Sequence, residues 1–192
     1  MSTTRIVPLE APFEAAVEQI FEQGLPPGLA PLNLFRTQAH NPRVLQRMFA
    51  GNLLDPGSIK LRERELLILR TCARCGSEYE WGVHVALFAQ RAQLDEAAVA
   101  ATVQPHDQQH ALSAHERLLL LAVDALHDTS TIGDALWEQL AQHYSSAQLL
   151  ELIALVGNYH AIAFVTNAAR VELEAFAPRF PLSAHLSSLA MN

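Results

Sequence analysis

Between Glu63 and Gln90 the chain sets carboxylates, a histidine, two cysteines and a tryptophan into two successive apolar helical patterns, ERELLILRTCAR and SEYEWGVHVALF. Helical spacing puts Glu65 on one stripe with Ile68, Leu69 and Cys72, a face that should turn inward. The second segment puts Glu80, Val83, His84 and Leu87 on one stripe, so a carboxylate and an imidazole four residues apart project side by side from a mostly apolar face. Burying a lone charge is costly, so Glu65, Glu80 and His84 must meet one another or a ligand. That requirement predicts a central helical hairpin whose inner faces converge. A buried carboxylate beside an imidazole suits acid/base chemistry near neutral pH. A purely structural Glu–His ion pair between helices accounts for the spacing equally well.

The remainder also reads as helix. Pro12 suits a helix start before FEAAVEQIFEQ and Gly24 a stop, while Leu25 to Pro31, LPPGLAP, reads as a surface connection. Asn41 and Pro42 begin RVLQRMFAGNLL, and Asp55-Pro56-Gly57 turns the chain into the central helix. Asp95 caps EAAVAATV, Gln104 to His110 is a loop, and Ser113 with Glu116 and Ser145 with Gln148 form capping boxes. The second of these opens a long helix expected to reach Phe176. No period-2 pattern competes, so the expected class is all-α.

A chain of 192 residues, half of them hydrophobic, can bury one sizeable core. A single domain over residues 1–192 is expected, its core about 40–130 and a C-terminal oligomerisation helix about 146–176. A net charge of −7 without a Lys/Arg cluster argues against nucleic acid or an anionic membrane surface as partner. No signal-peptide pattern opens the chain and two cysteines make no disulfide framework, so a cytoplasmic location is expected. The apolar run Leu149 to Val165 is shorter than the ~20 residues that cross a bilayer and reads as a buried helix. That helix is apolar nearly all round, which predicts a homo-oligomer, and its His160 reads as a core histidine bonded to a backbone carbonyl or across a subunit contact.

The central segment resembles the core of the carboxymuconolactone decarboxylase and alkylhydroperoxidase D superfamily. Its thiol peroxidase branch carries a Glu, eleven residues, then Cys-x-x-Cys-x-x-x-His. With His84 as the histidine, the leading glutamate is Glu65, but the two thiol positions hold Ser77 and Glu80. The decarboxylase branch carries a Glu four residues before its His, as Glu80 and His84 do. LRERELLILR and SEYEWGVHV resemble a subgroup lacking the catalytic thiols. The resemblance is specific over Leu61 to Leu94 and looser over the helical rest. It implies a compact multi-helix fold of the alkylhydroperoxidase D type, a trimer or hexamer, and acid/base chemistry on a small carbonyl or lactone substrate without a cofactor. His84 would shuttle the proton, Glu80 would orient it and Glu65 would complete the relay. Ser77, Tyr79 and Trp81 would contact the substrate, Ser77 or Tyr79 by donating to a developing oxyanion.

Cys72 and Cys75 form a Cys-x-x-Cys, but at the end of a helix, where the dipole disfavours a thiolate, and five residues away from the superfamily's thiol positions. Buried apolar cysteines are the plainer reading. Antioxidant peroxidase activity through Cys72 and Cys75, and a non-catalytic oligomeric binding protein, stand as alternatives. Cys72, Cys75 and His84 offer three soft ligands without a fourth to close the set, so no metal is expected.

Overall fold

The computed structural model describes residues 3–51 and 53–181. The helices run in order α1 (Ala15–Gly24), α2 (Asn33–Gln38), α3 (Pro42–Gly51), α4 (Leu61–Arg74), α5 (Glu78–Phe88), α6 (Glu96–Ala101), α7 (Ala114–Thr129), α8 (Asp134–Ala141) and α9 (Ser146–Ala169). A 3₁₀ turn, His106–Gln108, sits inside the expected 104–110 loop. The described residues contain no strand, and the fold is all-α.

The capping chemistry sets most boundaries. The Asp95 carboxylate accepts from the Ala98 N–H, Ser113 and Ser145 form reciprocal boxes with Glu116 and Gln148, and Asn41 accepts from Val44 at the head of α3. The first helix begins at Ala15, three residues beyond Pro12, and α8 takes Gly133 as its N-cap.

Helix α4 is the axis of the fold and packs against α5, α7 and α9. Every residue from Glu63 to Cys72 is buried. Leu66, Leu67, Ile68 and Leu69 carry the apolar part of that burial, roughly 1.5–3 kcal/mol each. The polar members are each bonded. Thr71 Oγ1 donates back to the Leu67 carbonyl at 2.7 Å. Arg70 makes a two-pronged pair with Asp124 of α7, 2.8 Å on each prong, and donates to the carbonyls of Thr102 and Gln104 at 3.0 and 2.9 Å. Separately, Val17, Phe21, Ala39 and Leu45 form a smaller cluster joining α1 to α3.

The last helix stops at Ala169, earlier than the expected Phe176. Arg170 adopts the left-handed conformation (φ 51°, ψ 55°), and Val171 N–H closes back on the Thr166 carbonyl at 3.0 Å, a Schellman-type end that turns the chain away. The following segment, residues 171–181, straps across α2 and α5. Glu174 accepts from the Asn33 N–H and the Tyr79 hydroxyl, Phe180 N–H donates to Glu78, and Phe180 lies 5.2 Å from the Trp81 ring. A Cβ at Gly82 would stand 2.4 Å from the Pro178 carbonyl oxygen, so the strap passes where only glycine leaves room. At 24 residues and a mean hydropathy of 1.6 in its most apolar window, α9 is long and apolar enough to cross a membrane, which the shorter run counted in the sequence is not. One face, including Leu152, Leu155, Val156, Ile162 and Ala163, is buried in the core.

Removing the Arg70 guanidinium would leave the Thr102 carbonyl and part of the Asp124 charge without their donor, while the Gln104 carbonyl keeps Gln109 Nε2 at 3.0 Å. Arg70→Met should lower stability by about 3 kcal/mol, read as a shift of the urea unfolding midpoint at unchanged slope.

Candidate active site

Glu65 on α4, His84 on α5 and Tyr159 on α9 meet in the interior, with exposures of 1%, 4% and 1%. The Glu65 Oε2 atom lies 2.8 Å from His84 Nδ1, and the Tyr159 hydroxyl lies 2.9 Å from His84 Nε2. A carboxylate against Nδ1 places the ring proton there, which leaves Nε2 to accept from the Tyr159 O–H. The other Glu65 oxygen accepts two bonds from Arg64, from Nε at 3.0 Å and from an Nη at 2.9 Å. Arg64 also donates to the Leu54 carbonyl at 2.8 Å, which ties the loop before α4 to the same cluster. The buried carboxylate is thus met by a guanidinium, and the imidazole is bonded between that carboxylate and a phenol.

Glu80 completes the group, its carboxyl 3.7 Å from His84 Nε2, outside hydrogen-bond distance. Burial pushes its proton affinity above the ordinary carboxylate range, with His84 pulling the other way. Burial, reinforced by Glu80 and Glu65, holds the Tyr159 hydroxyl firmly protonated. Cys72 lies within the field of the same two acids, and its thiol is pushed well up by burial first and by Glu80 next. The Phe88 ring, partly exposed, stacks at 5.1 Å on His84, and the Arg64 guanidinium lies 5.7 Å from its centroid. Such an arrangement can hold and move a proton at Nε2 inside a largely dry interior.

The structure therefore brings Glu65, Glu80 and His84 together, as their stripes require. Leu87 departs from the second stripe and is 45% exposed, because α5 ends one residue later and its last turn leaves the core. The residues read as substrate contacts are placed differently. The Ser77 hydroxyl pairs with Thr166 at 2.8 Å, the Tyr79 hydroxyl accepts from the Leu34 N–H and donates to Glu174, and Trp81 Nε1 donates to Thr102 at 3.1 Å. All three are buried and already bonded to other elements, so they join helices and offer no free donor to a substrate. Tyr159 and Arg64 were missed as site residues. A signal for Tyr159 was present, since it falls on the stripe Leu152, Leu155, Val156, Ile162, Ala163, Thr166, a polar tip on an otherwise apolar face.

A cavity of about 530 Å³ lies elsewhere, between α1 and the Leu25–Pro31 loop, lined by Phe13, Phe21 and Pro27 among others and by none of the cluster. The side chains with metal-ligand geometry are also apart from it: Cys75, His127 and His160 converge near the ends of α4 and α7 and on the outer side of α9.

Residues 42–105, the window holding Glu65, Glu80 and His84, match the Carboxymuconolactone decarboxylase family. Among solved structures the chain is similar to an uncharacterized peroxidase-related protein from Silicibacter sp. TM1040, with a TM-score of 0.75 and 18% identity over 94% of this chain and 99% of that one. It is similar to another from Ralstonia eutropha JMP134, described as an alkylhydroperoxidase AhpD core, with a TM-score of 0.69 and 18% identity over 90% and 95%. A third is a cysteine-to-alanine form of the debrominase Bmp8 in complex with 2,3,4-tribromopyrrole, with a TM-score of 0.66 and 18% identity over 99% and 98%. No curated protein sequence matches the chain. The match to the carboxymuconolactone decarboxylase family model spans residues 42–105, about a third of the chain, and the fold is that of the alkylhydroperoxidase D-like proteins.

Proposed function

We propose that this chain is an acid/base enzyme acting on a small carbonyl or lactone substrate. The observation that carries the reading is His84, bonded on both ring nitrogens inside the core, to a guanidinium-neutralised carboxylate on one side and a protonated phenol on the other. Nε2 would take a proton from carbon beside the substrate carbonyl once the substrate displaces Tyr159 from it, and Glu65 would stabilise the imidazolium through Nδ1–H. The electron pair left on carbon would pass to the carbonyl oxygen, where the Tyr159 O–H is the available donor, in the role first read onto Ser77 or Tyr79. Glu80 would return or relay the proton. Entry requires Phe88, the partly exposed ring stacked on His84, to move aside.

A thiol peroxidase reading is supported by the peroxidase-related neighbours and by the nearness of Cys72 to Glu65 and Glu80. Two features weigh against it. Cys72 is fully buried, and burial pushes the Cys75 thiol up to about 11, so neither supplies much thiolate at neutral pH. A panel of carbonyl and lactone substrates assayed by solvent-deuterium uptake, beside hydroperoxides with a dithiol reductant, separates the two. Tyr159→Phe should lower the proton-transfer rate about 10²–10³-fold and His84→Gln should abolish it, with Cys72→Ala/Cys75→Ala close to wild type. Hydroperoxide turnover lost in the double cysteine variant and kept in His84→Gln would replace this reading with the peroxidase one.

The raised Glu80 carboxyl has a consequence for stability against pH. The folded protein holds that proton more tightly than the unfolded chain, so the group's contribution is full below the ordinary carboxylate pKa and is lost as pH rises through its own raised value. Glu80→Gln should therefore gain stability relative to wild type at pH 8 over pH 5, measured by urea unfolding at both.

We also propose assembly through α9, as a trimer or hexamer. Leu150, Ala154, Gly157, Ala161 and Phe164 form an exposed apolar stripe opposite its buried face, with Leu150 at 68% and Phe164 at 66% exposure. Light scattering should show an oligomer at micromolar concentration, and Ala161→Glu should dissociate it.

A further inference from the structure

We propose that Cys75, His127 and His160 form a binding site for a zinc-class divalent cation, independent of the Glu65–His84 cluster. The three come from separate elements: Cys75 is the C-cap of α4, His127 lies in the last turn of α7 and His160 in α9. Their ligand atoms all lie within 4.8 Å of one another, with His127 Nδ1 3.0 Å from His160 Nε2 and 3.8 Å from Cys75 Sγ. A tetrahedral ion with metal–nitrogen bonds of about 2.0–2.1 Å and a metal–sulfur bond of about 2.3 Å requires edges of roughly 3.3 Å between nitrogens and 3.6 Å from nitrogen to sulfur. The measured edges between His127 and its two neighbours differ from these by a few tenths of an ångström, within the reach of small side-chain rotations.

Orientation supports the same assignment. His160 Nδ1 donates to the Val156 carbonyl at 2.9 Å, which fixes the tautomer and leaves Nε2 with its lone pair toward the other two ligands, the arrangement that commonly positions a metal-bound histidine. A hydrogen bond between the two imidazoles accounts for the 3.0 Å contact alone; it gives no reason for a thiol to converge on the same point. Arg74, the nearby cation, is paired with Asp124 at 3.5 Å and Asp128 at 2.5 Å, which offsets part of its charge beside the cluster. All three ligands are partly exposed, which gives an ion a route in and leaves the fourth position to water. On binding, the thiol proton goes to solvent and the His127 ring proton moves to Nε2, so that sulfur and both nitrogens each donate an electron pair.

The test uses the full chain, stripped with chelator, kept reduced and titrated with Co(II) as the spectroscopic substitute for zinc. One ion per chain should bind, with intense tetrahedral d–d bands and a sulfur-to-cobalt charge-transfer band, both removed by one equivalent of zinc. Cys75→Ser should abolish the charge-transfer band, His127→Gln and His160→Gln should each weaken binding by at least about tenfold, and Cys72→Ala should leave the spectrum as it is. Should a histidine variant fail to fold, zinc protection of Cys75 from alkylation in the wild-type protein gives a second readout, expected as a marked slowing. Weak octahedral spectra, binding unchanged in Cys75→Ser, or alkylation unaffected by zinc would overturn the assignment.

Discussion

A carboxylate with 1% exposure persists only where its charge is met, and Glu65 is met from two sides, by two N–H groups of Arg64 and by His84 Nδ1. The rest of the interior follows from that. Arg64 can reach Glu65 while also donating to Leu54 only if the loop before α4 lies against the helix, and His84 can keep both nitrogens bonded only if Tyr159 arrives from α9. Three helices and a loop are thereby held to one arrangement by a single buried charge. A hydrophobic core of the same volume would tolerate small slippage between helices, because apolar contacts carry little direction; hydrogen bonds to a carboxylate do not.

Much of this was legible in the chain because it is local. The stripes carrying Glu65 with Ile68, Leu69 and Cys72, and Glu80 with Val83 and His84, follow from helical spacing, and caps such as Asp95 and Ser113 act within four residues. What stayed hidden depends on register between helices. Tyr159 is 75 positions from His84, and no spacing within α9 says which turn meets α5. Arg64 is adjacent to Glu65, a separation that puts Cα–Cβ bonds on different faces, and it reaches its neighbour only because its side chain is long enough to fold back. Ser77, Tyr79 and Trp81 sit close to His84 in sequence and would suit a substrate pocket, yet each hydroxyl or indole finds a partner on another element. The early end of α9 was hidden for a related reason: Arg170 in a left-handed conformation has no strong residue preference to announce it.

The two cysteines show how far a motif can mislead when the fold gives its members different surroundings. Cys72 faces the core beneath the acid cluster, whereas Cys75, three residues on, has left the helix and stands beside His127. A pattern read as one unit in the chain resolves into two positions with separate neighbours. Histidines 52 and 85 residues further along are what distinguish the second position, and a search for compact ligand spacing passes over both.

The close approach of Pro178 to Gly82 makes two distant stretches of the gene a single heritable unit. While the strap is present, every side chain at position 82 is excluded by a backbone oxygen that cannot rotate aside. A descendant that lost or rerouted the strap would free that position, two residues before His84 and on a different face of α5, for larger side chains. In such lineages the strap-facing side of α5 would be open to variation, so the tail after α9 governs which substitutions on that helix natural selection ever gets to sample.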